Sequence, residues 1–193
     1  MKRLLAAMIA GAALSAAAAP AFAAEVAYKL DAAHTETTFT IDRFGFTSII
    51  GIFAASEGTI WLDEAAPEKS RVEATVTVDS LLTANPTRDE HIKGERWLNA
   101  AKSPTMTFKS TKVEKTGDTT AKVTGDLTIM GVTQPAVLDV KLNKIGTAPN
   151  NQKKQAGFTI TGQISRKAFG SAGAAGVIGD AVNIRIETLA VAQ

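Results

Sequence analysis

Residues 71–79 read Arg-Val-Glu-Ala-Thr-Val-Thr-Val-Asp, a strict alternation of polar and apolar side chains. In an extended chain this alternation places the apolar side chains on one face, which is typical of a β-strand with one buried side. Comparable stretches, rich in Thr, Val and Ile, occur at 37–44, 49–62, 105–113, 123–129, 136–142, 158–165 and 182–187. The sequence therefore predicts eight β-strands.

The connections between these strands favour antiparallel pairing. Residues 115–118 (KTGD) and 130–133 (MGVT) have the length and composition of hairpin turns. Only the segment 87–99 has the features of a helix, with Pro86 before it and acidic residues in its first turn. Gly94 weakens its interior, so we expect a short or broken helix. No series of helices separates the strands, which excludes a doubly wound parallel sheet.

Antiparallel strands that each carry an apolar face must bury that face in a sandwich or in a closed barrel. A barrel of eight strands is just wide enough to be filled by side chains or to hold one slim ligand. From the pattern alone, a filled core and a ligand cavity are equally compatible with this sequence. The side chains predicted to point inward are Phe39, Ile41, Val76, Val78, Phe108, Leu127, Ile129, Leu138, Phe158, Ile160, Ile184 and Ile186.

The first 23 residues form a separate unit with the composition of an export signal. Lys2 and Arg3 precede an uncharged apolar segment at 4–14, and Ala21-Phe22-Ala23 matches a small-residue cleavage site. The apolar segment is too short to span a bilayer. We therefore predict a cleaved signal peptide over 1–23 and one mature domain over 24–193.

Composition and motifs disfavour several classes of function. Lys and Arg total 21 against 19 Asp and Glu, and Lys2 and Arg3 account for the excess, so no basic surface for nucleic acid is indicated. The chain has no Cys and two His, which disfavours thiolate chemistry and metal centres. The sequence lacks the motifs of nucleotide binding, of the nucleophile elbow and of zinc hydrolases. We expect no cofactor, no metal and no enzymatic activity.

Four stretches of the sequence carry a recognisable family pattern. They are 31–41 (DAAHTETTFTI) leading to 51–53 (GIF); 88–93 (RDEHIK) continuing through 97–100 (WLNA) to 103–108 (SPTMTF); 125–135 (GDLTIMGVTQP); and 165–170 (SRKAFG) followed by 179–182 (GDAV). In order and spacing the mature chain resembles the YceI-like family of periplasmic polyisoprenoid-binding proteins. It departs from that pattern at Arg43 and Phe44, where members often carry a histidine, so no role of that histidine is transferred.

The resemblance implies a fold and a function. The fold is an all-β, eight-stranded, antiparallel up-and-down barrel of the lipocalin type with one short helical insert. The function is to bind a long-chain isoprenoid or similar amphiphilic lipid in the barrel, as a soluble periplasmic carrier, storage or stress-related protein. Transient contact with the membrane or with membrane redox proteins would accompany such a role. Two alternatives stay open: an interaction module with a filled barrel, and a lipid-ester hydrolase.

The predicted ligand-binding residues form two groups. Apolar side chains are expected to line the tube, and polar side chains with one tryptophan are expected at its mouth or in the helical insert. The apolar group is Phe39, Phe53, Phe108, Phe158 and Ile160, and the second group is His34, Arg43, Arg88, Asp89, His91 and Trp97.

Each member of the second group also has a structural interpretation. His34 is equally compatible with a strand cap that bonds to the backbone. Arg88 and Asp89 are typical of a pair that stabilises a short helix. Arg43 has the pattern of an exposed strand arginine, and Trp97 that of core packing which fixes the helix to the barrel.

Overall fold

The computed structural model describes residues 25–193, and the predicted signal peptide lies outside the described residues. Within these residues, ten strands, one α-helix (α1) and three short 3-10 turns make up the regular structure. Their bounds are β1 Val26–Arg43, β2 Thr47–Phe53, β3 Ser56–Leu62, β4 Arg71–Thr77, β5 Leu81–Leu82, α1 Pro86–Lys93, β6 Thr105–Lys115, β7 Thr120–Ile129, β8 Val132–Thr147, β9 Lys154–Ser165 and β10 Ile178–Ala192.

The ten strands form one closed antiparallel sheet. Strand β1 pairs with β10 over most of its length, which joins the first strand to the last. The other side of β1 pairs with β2 near its end and with β3 near its start, so β2 and β3 occupy one position in the wall. Strands β4 and β5 share the next position in the same way. Eight wall positions result, and the predicted eight-stranded antiparallel barrel is confirmed.

Two predicted strands differ from the observed ones in detail. The stretch 49–62 is interrupted at 54–55, where the chain changes from β2 to β3. The stretch 71–79 leaves the sheet at Thr77, and Val78 lies in the 3-10 turn Val78–Ser80. Val78 is buried there, and its N–H donates to the carbonyl of Pro104 (2.9 Å). The prediction that Val78 lines the barrel interior is therefore wrong.

The connections divide the barrel into two ends that we name by their content. The charged end carries the connections 63–70, 116–119 and 148–153, which include acidic and basic side chains. The insert end carries the connections 44–46, 78–104, 130–131 and 166–177, the longest of which contains α1. Antiparallel alternation fixes this division, because successive connections fall at opposite ends of the wall.

Helix α1 is shorter than the predicted segment 87–99. Asn85 caps its start by accepting a hydrogen bond from the N–H of Arg88 (3.0 Å), and Pro86 occupies the first turn. Gly94 stands at the carboxyl end, where its N–H donates to the carbonyl of His91 (3.1 Å). The helix therefore ends at the glycine that weakened the predicted interior.

Large side chains pack over inward-facing glycines in the barrel wall. A Cβ atom at Gly125 would lie 2.5 Å from the carbonyl oxygen of Lys109 and 2.5 Å from the Phe108 ring. At Gly162 it would lie 2.6 Å from the side chain of Leu138, the cross-strand partner of this glycine. The glycines thus leave room for the inward rings and branched side chains of neighbouring strands.

We expect Gly125→Ala to lower the free energy of unfolding by about 1–3 kcal/mol, because the added methyl group overpacks the wall against a backbone carbonyl. Urea denaturation followed by circular dichroism measures the change. Gly146→Ala is the control, since a Cβ at Gly146 meets nothing within 4 Å. Equal stabilities of the two variants would contradict this account of the Phe108 packing.

Candidate functional site

The barrel encloses a cavity of about 550 Å³. Side chains from β1–β4 and β6–β10 line it, as do residues of α1 and of the segment that follows the helix. All of the predicted inward side chains except Val78 lie on its wall. Of the two interiors that the sequence allowed, the protein has the one with a cavity.

The wall of the cavity is apolar along its length and charged only near its ends. The rings of Phe39 and Phe53 lie 5.7 Å apart between centroids and form one aromatic patch. Phe108, Phe158 and Ile160 continue the apolar wall on other strands. The charged residues on the wall are Glu64, Arg71, Lys115, Asp118 and Arg166. A long apolar molecule therefore meets apolar side chains over most of the tube.

The cavity reaches the surface at the charged end. Its lining there includes exposed residues on two sides, Glu64 and Ala65 in one connection and residues 118–120 at the start of β7. Glu64 accepts a hydrogen bond from the hydroxyl of buried Tyr28 (3.4 Å) and forms an ion pair with Lys154. Burial, with the charge of Glu64, raises the pKa of Tyr28. A polar, solvated mouth results.

Arg166 forms part of the closed, opposite end of the cavity. Its side chain is buried and donates to three backbone carbonyls: Nε to Gly179 (2.8 Å), Nη1 to Ser171 (2.8 Å) and Nη2 to Ile178 (3.1 Å). Its guanidinium carbon lies 5.1 Å from the centre of the Trp97 ring. Burial lowers the pKa of Arg166, but a guanidinium remains charged at neutral pH. The arginine holds the 166–179 segment closed over the end of the barrel.

Asp180 supports this segment from outside the cavity. Its carboxylate accepts hydrogen bonds from the N–H of Lys167 (2.9 Å) and from the hydroxyl of Ser165 (2.8 Å). These bonds, the backbone bond first, lower the pKa of Asp180. The sequence signal for this arrangement is the fourth family stretch, which contains Arg166, although Arg166 was outside the predicted ligand-binding set.

Trp97 lies on the cavity wall at the same end. Its ring lies directly over Gly173, where a Cβ atom would come within 2.1 Å of the ring. The N–H of Gly173 donates to the carbonyl of Arg96 (2.8 Å), which ties the insert to the 166–177 connection. Trp97 thus combines the two interpretations of the sequence, because it fixes the insert to the barrel and also lines the cavity.

Three of the predicted polar residues point away from the cavity lining. The His34 side chain is 67% exposed on a bulge of β1, and its Nδ1 lies 2.9 Å from the carboxylate of Asp31. The hydrogen bond from His34 lowers the pKa of Asp31. Arg43 lies over the Phe44 ring at 5.3 Å, and His91 is exposed on α1. The structure does not bring these side chains together, and ligand binding by them stays a prediction.

Arg88 and Asp89 meet at Thr83 and lie outside the cavity lining. Buried Asp89 accepts hydrogen bonds from the N–H (2.8 Å) and the hydroxyl of Thr83. Arg88 donates through Nε to the same hydroxyl (2.7 Å) and through Nη2 to the carbonyl of Thr83. This geometry supports their structural role, since they fold the chain between β5 and α1.

The residues in 25–193 offer no group of three or more His, Cys, Asp or Glu side chains placed to hold a metal ion. Within the same range, no helix has the length and apolar character needed to cross a membrane.

Closed eight-stranded antiparallel barrels either fill their interior with side chains or leave room for one small ligand, and this barrel has a cavity. The chain belongs to the YceI-like family, whose domain model matches residues 28–190. A UPF0312 protein of Pseudomonas savastanoi pv. phaseolicola is 38% identical over 173 residues, which are 90% of this chain and 89% of the relative.

Two solved structures are similar to this barrel. The Campylobacter jejuni YCEI protein is 31% identical, with a TM-score of 0.71 over 77% of this chain and 87% of the other. A polyisoprenoid binding domain from Saccharophagus degradans, implicated in plant cell wall breakdown, is 14% identical and shares the fold. Its TM-score is 0.65, over 88% of this chain and 100% of that domain.

We expect Arg166→Ala to reduce the free energy of unfolding by roughly 3 kcal/mol or more, because three carbonyls lose donors at about 1–3 kcal/mol each. Arg166→Lys should recover only part of the loss, since one ammonium lacks the planar fork of a guanidinium. Thermal unfolding measures both changes. Arg185→Ala, which removes an exposed pair with Glu187, is the control and should change stability by about 1 kcal/mol or less. If Arg166→Ala were as stable as Arg185→Ala, Arg166 would not hold the 166–179 segment in the way described.

Proposed function

We propose that this protein binds one long-chain amphiphilic lipid, an isoprenoid or a molecule of similar shape, inside the barrel. The observation that carries the proposal is the apolar cavity of about 550 Å³ whose charged residues lie only near its ends. This volume falls within the roughly 300–1,000 Å³ that is usual for ligand pockets in proteins. An amphiphile has the matching distribution, with one polar end and a long apolar tail.

Burial of the tail supplies most of the affinity in this proposal. Each buried methylene contributes about 0.8 kcal/mol, so a tail of some twenty carbons would gain on the order of 16 kcal/mol before the costs of ordering. The contacts come from rings and branched side chains on many strands, including Phe39, Phe108 and Ile160. Such contacts recognise length and apolar character more strongly than the identity of the head group.

The head group is best placed at the charged end. The mouth there is exposed, so a polar head group keeps its contact with water while the tail enters the tube. At the other end Arg166 already donates to three carbonyls, so its hydrogen bonds are committed to the backbone. We therefore orient the tail toward Trp97 and the head group toward Glu64 and Asp118.

The comparisons support this proposal in one respect. The Saccharophagus domain that shares the fold is named as a polyisoprenoid binding domain, which agrees with a long apolar ligand in a barrel of this shape. We extend the same ligand class to this chain on the strength of its own cavity.

We propose a binding role without catalysis. A lipid-ester hydrolase would need a nucleophile and a base beside the ligand, and His34 and His91 lie outside the cavity lining. An interaction module with a filled barrel is disfavoured by the cavity itself.

We further propose that the protein works in the periplasm as a soluble carrier or store of its lipid. Lys2, Arg3, the apolar segment and Ala21-Phe22-Ala23 support export with cleavage after Ala23. Amino-terminal sequencing of protein released from the periplasm should give Ala24 as the first residue. A soluble cytoplasmic protein that retains Met1 would overturn this part of the proposal.

The main test compares two carboxylates on one strand. Ile160→Asp places a charge inside the tube, whereas Gln163→Asp places the same charge on the exposed face of β9. An unpaired charge in an apolar site costs several kcal/mol, so Ile160→Asp should purify without lipid and Gln163→Asp should retain it. Native mass spectrometry with lipid extraction detects the ligand.

A third variant guards against loss of fold. Ile160→Trp keeps the wall apolar but shortens the available tube, so it should select shorter ligands from the same host. Thermal melts establish that each variant is folded. Wild-type protein that carries no lipid from its native host, or a folded Ile160→Asp variant that carries as much as wild type, would contradict the proposed function.

A further inference from the structure

Large apolar side chains are exposed together at the insert end of the barrel. Phe46 is 89% exposed and Phe44 is 51% exposed, both in the connection between β1 and β2. Ile50 on β2 is 66% exposed, and Leu82 on the paired strand β5 is 54% exposed. Single exposed apolar residues are ordinary on protein surfaces. Four large ones on neighbouring segments form a patch of the kind that marks an interaction surface.

The backbone of this connection holds both aromatic rings outward. The N–H of Phe46 donates to the carbonyl of Arg43 (3.1 Å), with Phe44 and Gly45 at positive φ (58° and 72°) in the tight turn between them. Asp42 fixes the turn by accepting a hydrogen bond from the N–H of Gly45 (2.8 Å). Positive φ favours Gly, Asn or Asp, so a phenylalanine at Phe44 is unfavourable for the turn and gains little from burial.

Two further connections extend this surface around the same end. Residues 171–177 (SAGAAGV) are uncharged, and the carbonyl of Val177 accepts a hydrogen bond from the N–H of Phe44 (3.0 Å). The turn between β7 and β8, Met130-Gly131, is also uncharged and is followed by half-exposed Val132. We define the apolar rim as Phe44, Phe46, Ile50, Leu82, Met130, Val132 and the exposed residues 172 and 174–176 of the last connection.

Cations lie beside the apolar rim. The Arg43 guanidinium lies over the Phe44 ring at 5.3 Å, and exposed Lys167 precedes the 171–177 segment. The acidic side chains beside it are Asp42, Asp79 and Asp180, of which Asp42 and Asp180 accept hydrogen bonds from the backbone. The insert at the same end adds exposed Glu90 and Glu95, which pair with Lys93 (3.8 Å) and Lys102 (3.6 Å). Aromatic rings next to cations match the boundary of a bilayer, where rings reach the acyl chains and cations meet phosphates.

We propose that the apolar rim is the surface by which this protein docks on a lipid bilayer, with Phe44 and Phe46 inserted at the head-group boundary. The patch favours a bilayer over a second copy of the chain because of its size and shape. Its four largest exposed side chains offer on the order of 500 Å², given about 150–250 Å² for each aromatic residue. Each partner in a stable complex buries roughly 800 Å². A projecting turn that presents two rings suits insertion into a fluid surface.

Docking at the apolar rim gives the barrel a defined orientation. The rim surrounds the end that Trp97 and Arg166 close, so the charged mouth faces away from the docked bilayer. This surface is separate from the cavity, and the inference does not depend on which lipid the cavity holds.

The test uses tryptophan reporters and vesicles of phosphatidylethanolamine with phosphatidylglycerol. Phe46→Trp should show a blue shift of its emission when vesicles are added, because the indole enters the acyl boundary. Val137→Trp is the matched control, since Val137 is 50% exposed on β8 away from the apolar rim, and it should behave as wild type. Wild-type protein supplies the background from Trp61 and Trp97.

Loss of the rings should weaken docking. Phe46→Ser should lower the partition onto the vesicles by about tenfold or more in a flotation assay, whereas Val137→Ser should leave it unchanged. Phe44→Asn should lower it as well while retaining the turn, since Asn tolerates positive φ. If the emission maximum of Phe46→Trp does not shift when vesicles are added, the proposal is wrong. It is also wrong if the wild-type protein is a dimer that the Phe46→Ser substitution dissociates, since the rim would then be a protein interface.

Native mass spectrometry separates this inference from the proposed function. Phe46→Ser should keep the lipid content of wild type, because the residue lies outside the cavity lining. Absence of lipid from both proteins would count against the lipid-binding function alone, while the vesicle assays still decide the docking.

Discussion

The pairing of β1 with β10 is the constraint on which the rest of this structure depends. It closes the sheet, so the faces that alternate along every strand become an inside and an outside. Without that closure the apolar faces would need a second layer to cover them. With it, Phe39, Phe158 and Ile184 all face the inside of a tube. Because eight wall positions leave more room than these side chains occupy, the same constraint that buries the core also creates the cavity.

The two ends of the tube are built by different physical means. At the insert end a buried guanidinium binds three carbonyls and lies beside the Trp97 ring, so one charge organises a connection that is mostly glycine and alanine. At the charged end, Glu64 and Lys154 form an exposed ion pair beside an opening. The insert end is therefore closed by buried side chains, and the charged end is open to solvent. This asymmetry gives an amphiphile one favourable orientation in the proposed complex.

The outer surface of the barrel also differs between the two ends. Charged connections surround the mouth, whereas the closed end combines the charged insert with the uncharged segment 171–177 and the exposed rings of Phe44 and Phe46. In the proposed docking the barrel stands with its closed end on the bilayer and its mouth in the aqueous phase. In this proposal the cavity keeps a single lipid in solution, and the apolar rim holds the protein at the membrane that supplies the lipid.

The fold was predictable because alternation is a local property. The pattern at 71–79 and its seven counterparts, with short turn-like links, predicts antiparallel strands in a sandwich or a barrel, and the family resemblance favours the barrel. The apolar wall followed from the same period, since Phe108 and Ile160 face inward by their parity alone. The strand boundary at Val78 differs from the prediction, because a hydrogen bond from its N–H to the carbonyl of Pro104 takes the chain out of the strand.

The polar residues were not predictable in this way, because their roles depend on partners distant in the sequence. His34, Arg88 and Asp89 are of the types that bind ligands, but the fold directs them to Asp31 and Thr83. Arg166 became a part of the cavity only when the fold brought it to Trp97. The sequence by itself thus determined the strands and their apolar faces, since these follow from the period, and its resemblance to the YceI-like family implied that the strands close into a barrel. The tertiary structure decided that the barrel is hollow, which end is open and which charges reach the cavity, since these depend on volumes and distances between separate strands.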